Sequence, residues 1–275
     1  MNKTSLQTAR RLAAALTLAA FAAAAPAAPT LLDPLLAGAH AMGTGVDARF
    51  VKVDDNWHAS SVLWSEATMQ YGSGAPIGSF AWGSGIWGIA DWQTANGAVP
   101  PAGMVTGGWT GRVAAISFGD EHYNTQHGPT WGVVGLAPLF GAGFGQDNWT
   151  SFFSGYIRIA DAGLYNFSVL HDDGFFFTLG GLGQTLAIDN DFLNPRERVG
   201  FGDDLLLGVG LYAFTLGAYD RLEAGVVELA WSRDGGDWTP VPTENLVAQP
   251  VPLPATGWLL AGGLLALGAT QRRRR

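Results

Sequence analysis

The chain has 275 residues, a formal net charge of −8, 39 glycines, 11 tryptophans, 15 phenylalanines and no cysteine. Without thiols there are no disulfides, no thiol catalysis and no cysteine-type zinc centre, so stability must come from an apolar core, from ions or from both. With 48% hydrophobic and only 14% charged residues, the composition excludes a disordered chain and suits many short strands joined by tight turns.

At the N-terminus Lys3, Arg10 and Arg11 precede an Ala/Leu run from Leu12 to Ala25. This reads as an export signal over residues 1–25, since the run has no polar face that would make it an amphipathic first helix. Arg10-Arg11 lacks the surroundings of a twin-arginine signal, so the general export route is expected. The Pro/Ala/Leu stretch 26–43 reads as a mobile leader. Seven of the fifteen basic residues lie at the two ends and all 23 acids lie between Asp33 and Glu244, so the body between carries a formal charge near −15. Such a surface repels nucleic acid and anionic lipid and tolerates calcium.

Residues 44–248 are expected to form one domain, a single antiparallel β-sandwich or barrel with little helix, because short alternating runs recur between Gly, Asp and Pro turns. Gly45 to Val53 predicts a strand; Asp54-Asp55-Asn56 after it lacks calcium-loop spacing and reads as a solvated turn. Ser61 to Trp92 is dense in Gly, Ser and Trp (Trp64, Trp82, Trp87, Trp92). These rings read as core first, with stacking on sugars as the alternative. A Pro/Gly connection, Asn96 to Gly108, leads to a strand expected over Gly111 to Phe118. Asp120-Glu121-His122 and His127 then gather titratable groups without metal-ligand spacing, which favours a plain loop.

From Ser154 to Gly181 the pattern predicts a strand, a turn at Asp161-Ala162-Gly163, a second strand marked by Tyr165, Phe167 and Val169, an Asp172-Asp173-Gly174 tip and a third strand. Gly174 allows a positive φ at that tip. Ala187 to Gly202 reads as a polar insertion, and a last hairpin is expected from Leu211–Leu216 and Val226–Trp231. The run Gly163-Leu164-Tyr165-Asn166-Phe167-Ser168-Val169 matches Gly210-Leu211-Tyr212-Ala213-Phe214-Thr215-Leu216 at an offset of 47 residues, and that offset carries Asp173 onto Asp220. A pair of related hairpins is therefore expected, with both acidic tips at one end of the sandwich. Arg221 is an alternative partner for Asp220.

Beyond Pro240, Pro242, Pro250, Pro252 and Pro254, an uncharged apolar run from Gly257 to Ala269 is closed by Arg272 to Arg275. Extended through Thr256 and Thr270 it would form a helix able to insert transiently in a thin membrane, with the arginines on the cytoplasmic side. Val251-Pro252-Leu253-Pro254, Trp258-Leu259-Leu260 and the basic terminus resemble the PEP-CTERM sorting signal of Gram-negative bacteria. The resemblance makes residues 249–275 a sorting signal, implies an exosortase-type processing enzyme, and places the protein at the cell surface or in the extracellular matrix. Leu253-Pro254-Ala255-Thr256-Gly257 also fits the signal read by sortases.

Gly155-Tyr156-Ile157, Gly163-Leu164-Tyr165, Asp172-Asp173-Gly174, Leu211-Tyr212, Leu229-Ala230-Trp231-Ser232 and Val241-Pro242 stand in the order and spacing of the protective-antigen-type (PA-fourteen) domain. The resemblance runs from Trp149 to Leu246, and more loosely back to Ala48. It implies a β-sandwich and a non-catalytic, calcium-dependent carbohydrate-binding module whose partner is an extracellular polysaccharide or glycan. It further implies that a cis-linked Asp172-Asp173 pair holds Ca2+. Calcium takes six to eight oxygens, so Asp220 is the expected third metal ligand, with Tyr219 beside it at the ligand. Two readings stand against this one: a structural component of the extracellular polysaccharide matrix, in which the tip is a plain turn, and, ranked last, an acid-pair hydrolase. No nucleophile motif supports an enzyme.

Overall fold

The computed structural model describes residues 28–55, 57, 62–65, 70–73, 85–120, 134–135, 147–222 and 224–249, of which 62–65, 70–73 and 134–135 are described by backbone alone. The expected export signal and the sorting motif Val251–Pro254 with its helix lie outside these residues, as do Glu121, His122 and His127. Among the described residues no helix is long and apolar enough to cross a membrane.

Eight strands carry the architecture: β1 (Val46–Val53), β2 (Val105–Val113), β3 (Trp149–Ile159), β4 (Gly163–Asp172), β5 (Gly174–Gly181), β6 (Gln184–Asn190), β7 (Gly210–Asp220) and β8 (Val226–Arg233). One sheet runs β6-β5-β7-β3-β1-β2, antiparallel throughout. The second is built on the antiparallel pair β4–β8, extended by Leu205–Leu207 and Thr30–Leu32 beside β4 and by Ser117–Gly119 and Val134–Gly135 beside β8. The architecture is thus the expected all-β sandwich.

Between the sheets lies an aromatic core. Phe50, Phe153, Phe167, Phe177 and Trp149 have no exposed surface, and Phe50 meets Phe118 and Phe153 edge-on at 5.2 and 5.5 Å. Each such side chain contributes about 1.5–3 kcal/mol on burial, which is how a cysteine-free chain holds together. The repeated Gly-Leu-Tyr runs have a shared purpose. Tyr165 donates its hydroxyl to Asp161 O (2.9 Å) and Tyr212 to Gly208 O (3.0 Å). In both, a buried ring is pinned to the carbonyl four residues upstream, where the chain enters the strand.

The related units are not hairpins. β3 and β5 belong to one sheet and β4 to the other, and β7 and β8 are likewise split between the two, so each turn is a crossover between layers. Burial of both faces over most of β7 and from Phe167 to His171 of β4 removes the alternation that would tell a same-sheet hairpin from a crossing arch. The strands still run the same way: Gly174 pairs with Tyr219, which sets the end of β4 beside the end of β7.

Three further expectations are corrected. The stretch taken as a leader is partly built into the sandwich, with Thr30–Leu32 pairing parallel to Leu205–Leu207, Leu36–Ala37 pairing with β7, and Leu32 buried. The strand expected over Gly111 to Phe118 is two elements, β2 and Ser117–Gly119, which lie in different sheets. The insertion 187–202 supplies most of β6 and the strand Glu197–Gly200. A short helix, α1 (Ile89–Asn96), sits on the outer face of the first sheet, where Trp92 packs on Phe152 and Phe176 and donates its indole N–H to Ser151 O. Of the four tryptophans read as core, Trp87 is buried and Trp92 half-buried, while Trp82 and the Trp64 side chain lie outside the described residues.

Candidate functional site

Asp172 ends β4, Asp173 follows it, and both are half-buried. The peptide bond between them is cis, the configuration that the family resemblance implied. Asp173 is fastened to the end of β7 and to the turn after it: its N–H donates to Tyr219 O (3.0 Å), and its Oδ2 accepts from the Arg221 N–H (2.8 Å). Gly174 does not use a positive φ. It is glycine because a Cβ there would collide with the Tyr219 ring and hydroxyl.

Asp220 stands opposite Trp149 in the register of β7 and β3, has no exposed surface, and neither of its carboxylate oxygens has a hydrogen-bond partner among the described residues. Its pKa is pushed well above the usual carboxylate value, by burial first and then by the charges of Asp173, Asp120, Asp172 and Asp147. Gly225 closes over it: a Cβ at that position would come within 2.6 Å of the Asp220 Cβ and Cγ and within 2.8 Å of the Trp149 ring. Arg221 does not neutralise Asp220. Its guanidinium lies 4.4 Å over the Trp87 ring.

The surrounding groups come from distant parts of the chain. Asp120, buried at the end of Ser117–Gly119, accepts from the Gly225 N–H at 2.8 Å and donates its own N–H to Gly225 O. Asp147 precedes β3, and its carbonyl accepts from Lys52 Nζ. Asn148 adopts φ 51 and knits four segments together. Its Oδ1 accepts from the Ile86 N–H, its Nδ2 donates to Asp55, its N–H donates to Arg221 O, and its carbonyl accepts from the Val53 N–H. Sequence reasoning missed Asp147 and Asn148 and read Asp120 as part of a plain loop, since none of the three shows spacing that links it to Asp220.

His171 is fully buried behind the tip, 3.1 Å from Asp173 O. A carbonyl only accepts, so the neutral imidazole carries its proton on Nδ1 and leaves Nε2 to accept from Asn190 Nδ2. Burial is the largest influence on its pKa and pulls it below the ordinary histidine value, against the opposing pull of the Asp173 carbonyl and Glu197. Tyr219, expected to face a ligand, is fully buried instead. It belongs to the small outer core with Val51, Val53, Trp57 and Ile86, and its hydroxyl donates to Phe192 O at 2.7 Å. Alternation along β7 turns Asp220 inward and Tyr219 outward under α1.

The structure therefore brings Asp172, Asp173 and Asp220 to one end and buries Tyr219. All of the acidic donors are hard oxygens of the kind calcium takes. They are not drawn into a ready shell: among the described residues no three His, Cys, Asp or Glu side chains are grouped so as to hold a metal ion.

No protein-family model matches the sequence, and no curated protein matches it. Among solved structures, the chain is similar to the PA14 domain of the antifreeze protein MpAFP, at 16% identity and a TM-score of 0.47 over 78% of this chain and 96% of that one. It is similar to the PA14 sugar-binding domain of an RTX adhesin at 14% identity and a TM-score of 0.45, over 75% of this chain and 99% of that one. It is also similar to the A domain of epithelial adhesin 9 of Candida glabrata, solved in complex with Galb1-3GlcNAc, at 14% identity and a TM-score of 0.46 over 78% of this chain and 94% of that one.

Proposed function

We propose that this chain is an exported, surface-directed, non-catalytic carbohydrate-binding module of the protective-antigen type, whose acidic end takes calcium. One observation carries the reading: a fully buried Asp220 carboxylate with both oxygens unpartnered among the described residues, its pKa raised by burial first and then by four neighbouring carboxylates. Uncompensated buried charge is costly, and a divalent cation supplies the compensation that no side chain of the cluster does. Asp172, Asp173 and Asp220 would hold the ion, with amide and backbone oxygens and water completing its shell. The ion supplies a centre that coordinates sugar hydroxyls. The chain's own residues fix the frame: Asn148 and the Arg221 backbone tie the tip together, and Gly225 shuts one side.

The layout suits display. Asp220 pairs with Trp149 at the start of β3, whereas Leu246 and Val247 pair with Ile157 and Tyr156 near its far end. The body thus runs toward its sorting tail roughly 25 Å from the acidic end, taking about 3.3 Å per residue along the strand. A sorting tail processed by an exosortase-type enzyme would leave that end facing outward. The test is a glycan array probed in calcium and in chelator. Binding that needs calcium supports the module, and an array left empty in both conditions refutes it.

A further inference from the structure

Away from the acidic end, the outer face of the first sheet carries a cleft of about 340 Å³ beside α1. Its floor is Phe176 and Thr178 of β5. One wall is Ile89 and Gln93, four residues apart on the helix, and the opposite rim is Ala187 and Asp189 of the edge strand β6. The register puts Phe176 directly across from Asp189 and Thr178 across from Ala187, so alternate residues of two strands face the same cleft. Gly217 makes the floor possible, because a Cβ there would strike the Phe176 ring and approach Trp92. Trp92 meets Phe176 edge-on with ring centroids 4.6 Å apart, which holds the half-buried phenyl ring in place. The floor continues in hydroxyls through Thr178 and Thr215, whose oxygens are 2.6 Å apart.

We infer that this cleft is a second carbohydrate subsite, one that takes an internal sugar of a neutral oligosaccharide whose end is held at the acidic tip. A pyranose presents an apolar C–H face and a rim of hydroxyls. The cleft offers the complement: an immobilised aromatic ring below, and an exposed amide and an exposed carboxylate on opposite rims. An anionic polymer is disfavoured by Asp189 and by the acidic body. Phe176 stands three residues beyond Asp173, near the start of β5, at most roughly 10 Å away at strand rise and within reach of one oligosaccharide. The inference rests on the proposed carbohydrate reading and deepens it, making the ligand a chain and not a lone terminal sugar.

The test is an array of neutral oligosaccharides of one to six residues, probed with the wild-type protein and with Gln93→Ala and Asp189→Ala, in calcium and in chelator. Both substitutions are at exposed positions, and a matched melting temperature confirms that each variant folds. Wild-type affinity should rise with chain length, and each variant should lose about fivefold on the longer sugars, one hydrogen bond's worth, while keeping single-sugar binding. Length-independent binding, or length dependence that survives both substitutions, overturns the subsite and leaves the calcium reading standing. Length dependence that persists in chelator and falls in the variants supports the subsite and sinks the calcium reading instead. An array left empty by the wild type in both conditions overturns both.

Discussion

Replacing Asp220 with asparagine should stabilise the calcium-free protein. The substitution keeps the shape of the side chain while removing an acid whose ionised form is disfavoured by burial and by repulsion from Asp173, Asp120, Asp172 and Asp147. Leaving a buried polar group unsatisfied costs about 1–3 kcal/mol, and more when it is charged. For a domain of this size that corresponds to a rise of about 2–12 °C in Tm in chelator. The folded-state pKa of Asp220 lies above its unfolded value. Wild-type stability from this group is therefore intact below the ordinary carboxylate pKa and is lost as pH rises through the folded value, a decline that Asp220→Asn removes. Calcium reverses the order: at a hundredfold excess over its dissociation constant it should stabilise the wild type by about 2.7 kcal/mol and the variant far less. Differential scanning calorimetry of both proteins, in chelator and across calcium concentration, reads all of this. If the variant melts below the wild type in chelator, or gains as much from calcium, the argument from an uncompensated carboxylate is wrong.

Tyr212→Phe should cost about 1–2 kcal/mol at neutral pH, because the buried hydroxyl shares its one proton between Leu32 O and Gly208 O. The Tyr212 pKa is raised by burial from 10.0 to about 12, so in urea melts wild-type stability should hold below pH 10 and fall by up to roughly 2.7 kcal/mol toward pH 12; an equal alkaline fall in the variant would contradict this. Gly174→Ala forces a Cβ against the Tyr219 ring and to within 2.7 Å of Asn190 O, and overpacking of this kind costs about 1–3 kcal/mol. Chemical denaturation that finds the alanine variant as stable as the wild type would show that the tip yields where the packing says it does not.

The strands were legible because their aromatic and branched residues alternate between breakers, and the 47-residue match was legible because Tyr165 and Tyr212 each need the same turn. Which sheet each strand enters was not, since most of β7, and β4 from Phe167 to His171, are buried on both faces. The helix Ile89–Asn96 carries no amphipathic signal of its own. It is held by tertiary contacts, with the Ile89 N–H on Asp191 Oδ1 and Trp92 on Phe176. At the acidic end the sequence offered Asp172, Asp173 and Asp220, and these do share one end. Asp147 was missed because nothing local marks it, being the residue before a left-handed Asn148; Asp120 was read as part of a plain loop because it lies just after a three-residue strand whose pairing partner is distant in sequence. Tyr219 was misplaced by ignoring alternation next to Asp220.

The most direct test of the central claim is isothermal titration of calcium into the wild-type protein and into Asp172→Asn and Asp173→Asn, followed by the same three proteins on a glycan array in calcium. Calcium should bind the wild type at a single site, each variant should lose that binding, and sugar binding should disappear with it. Unchanged calcium affinity in both variants, or sugar binding that survives without the ion, would contradict the account.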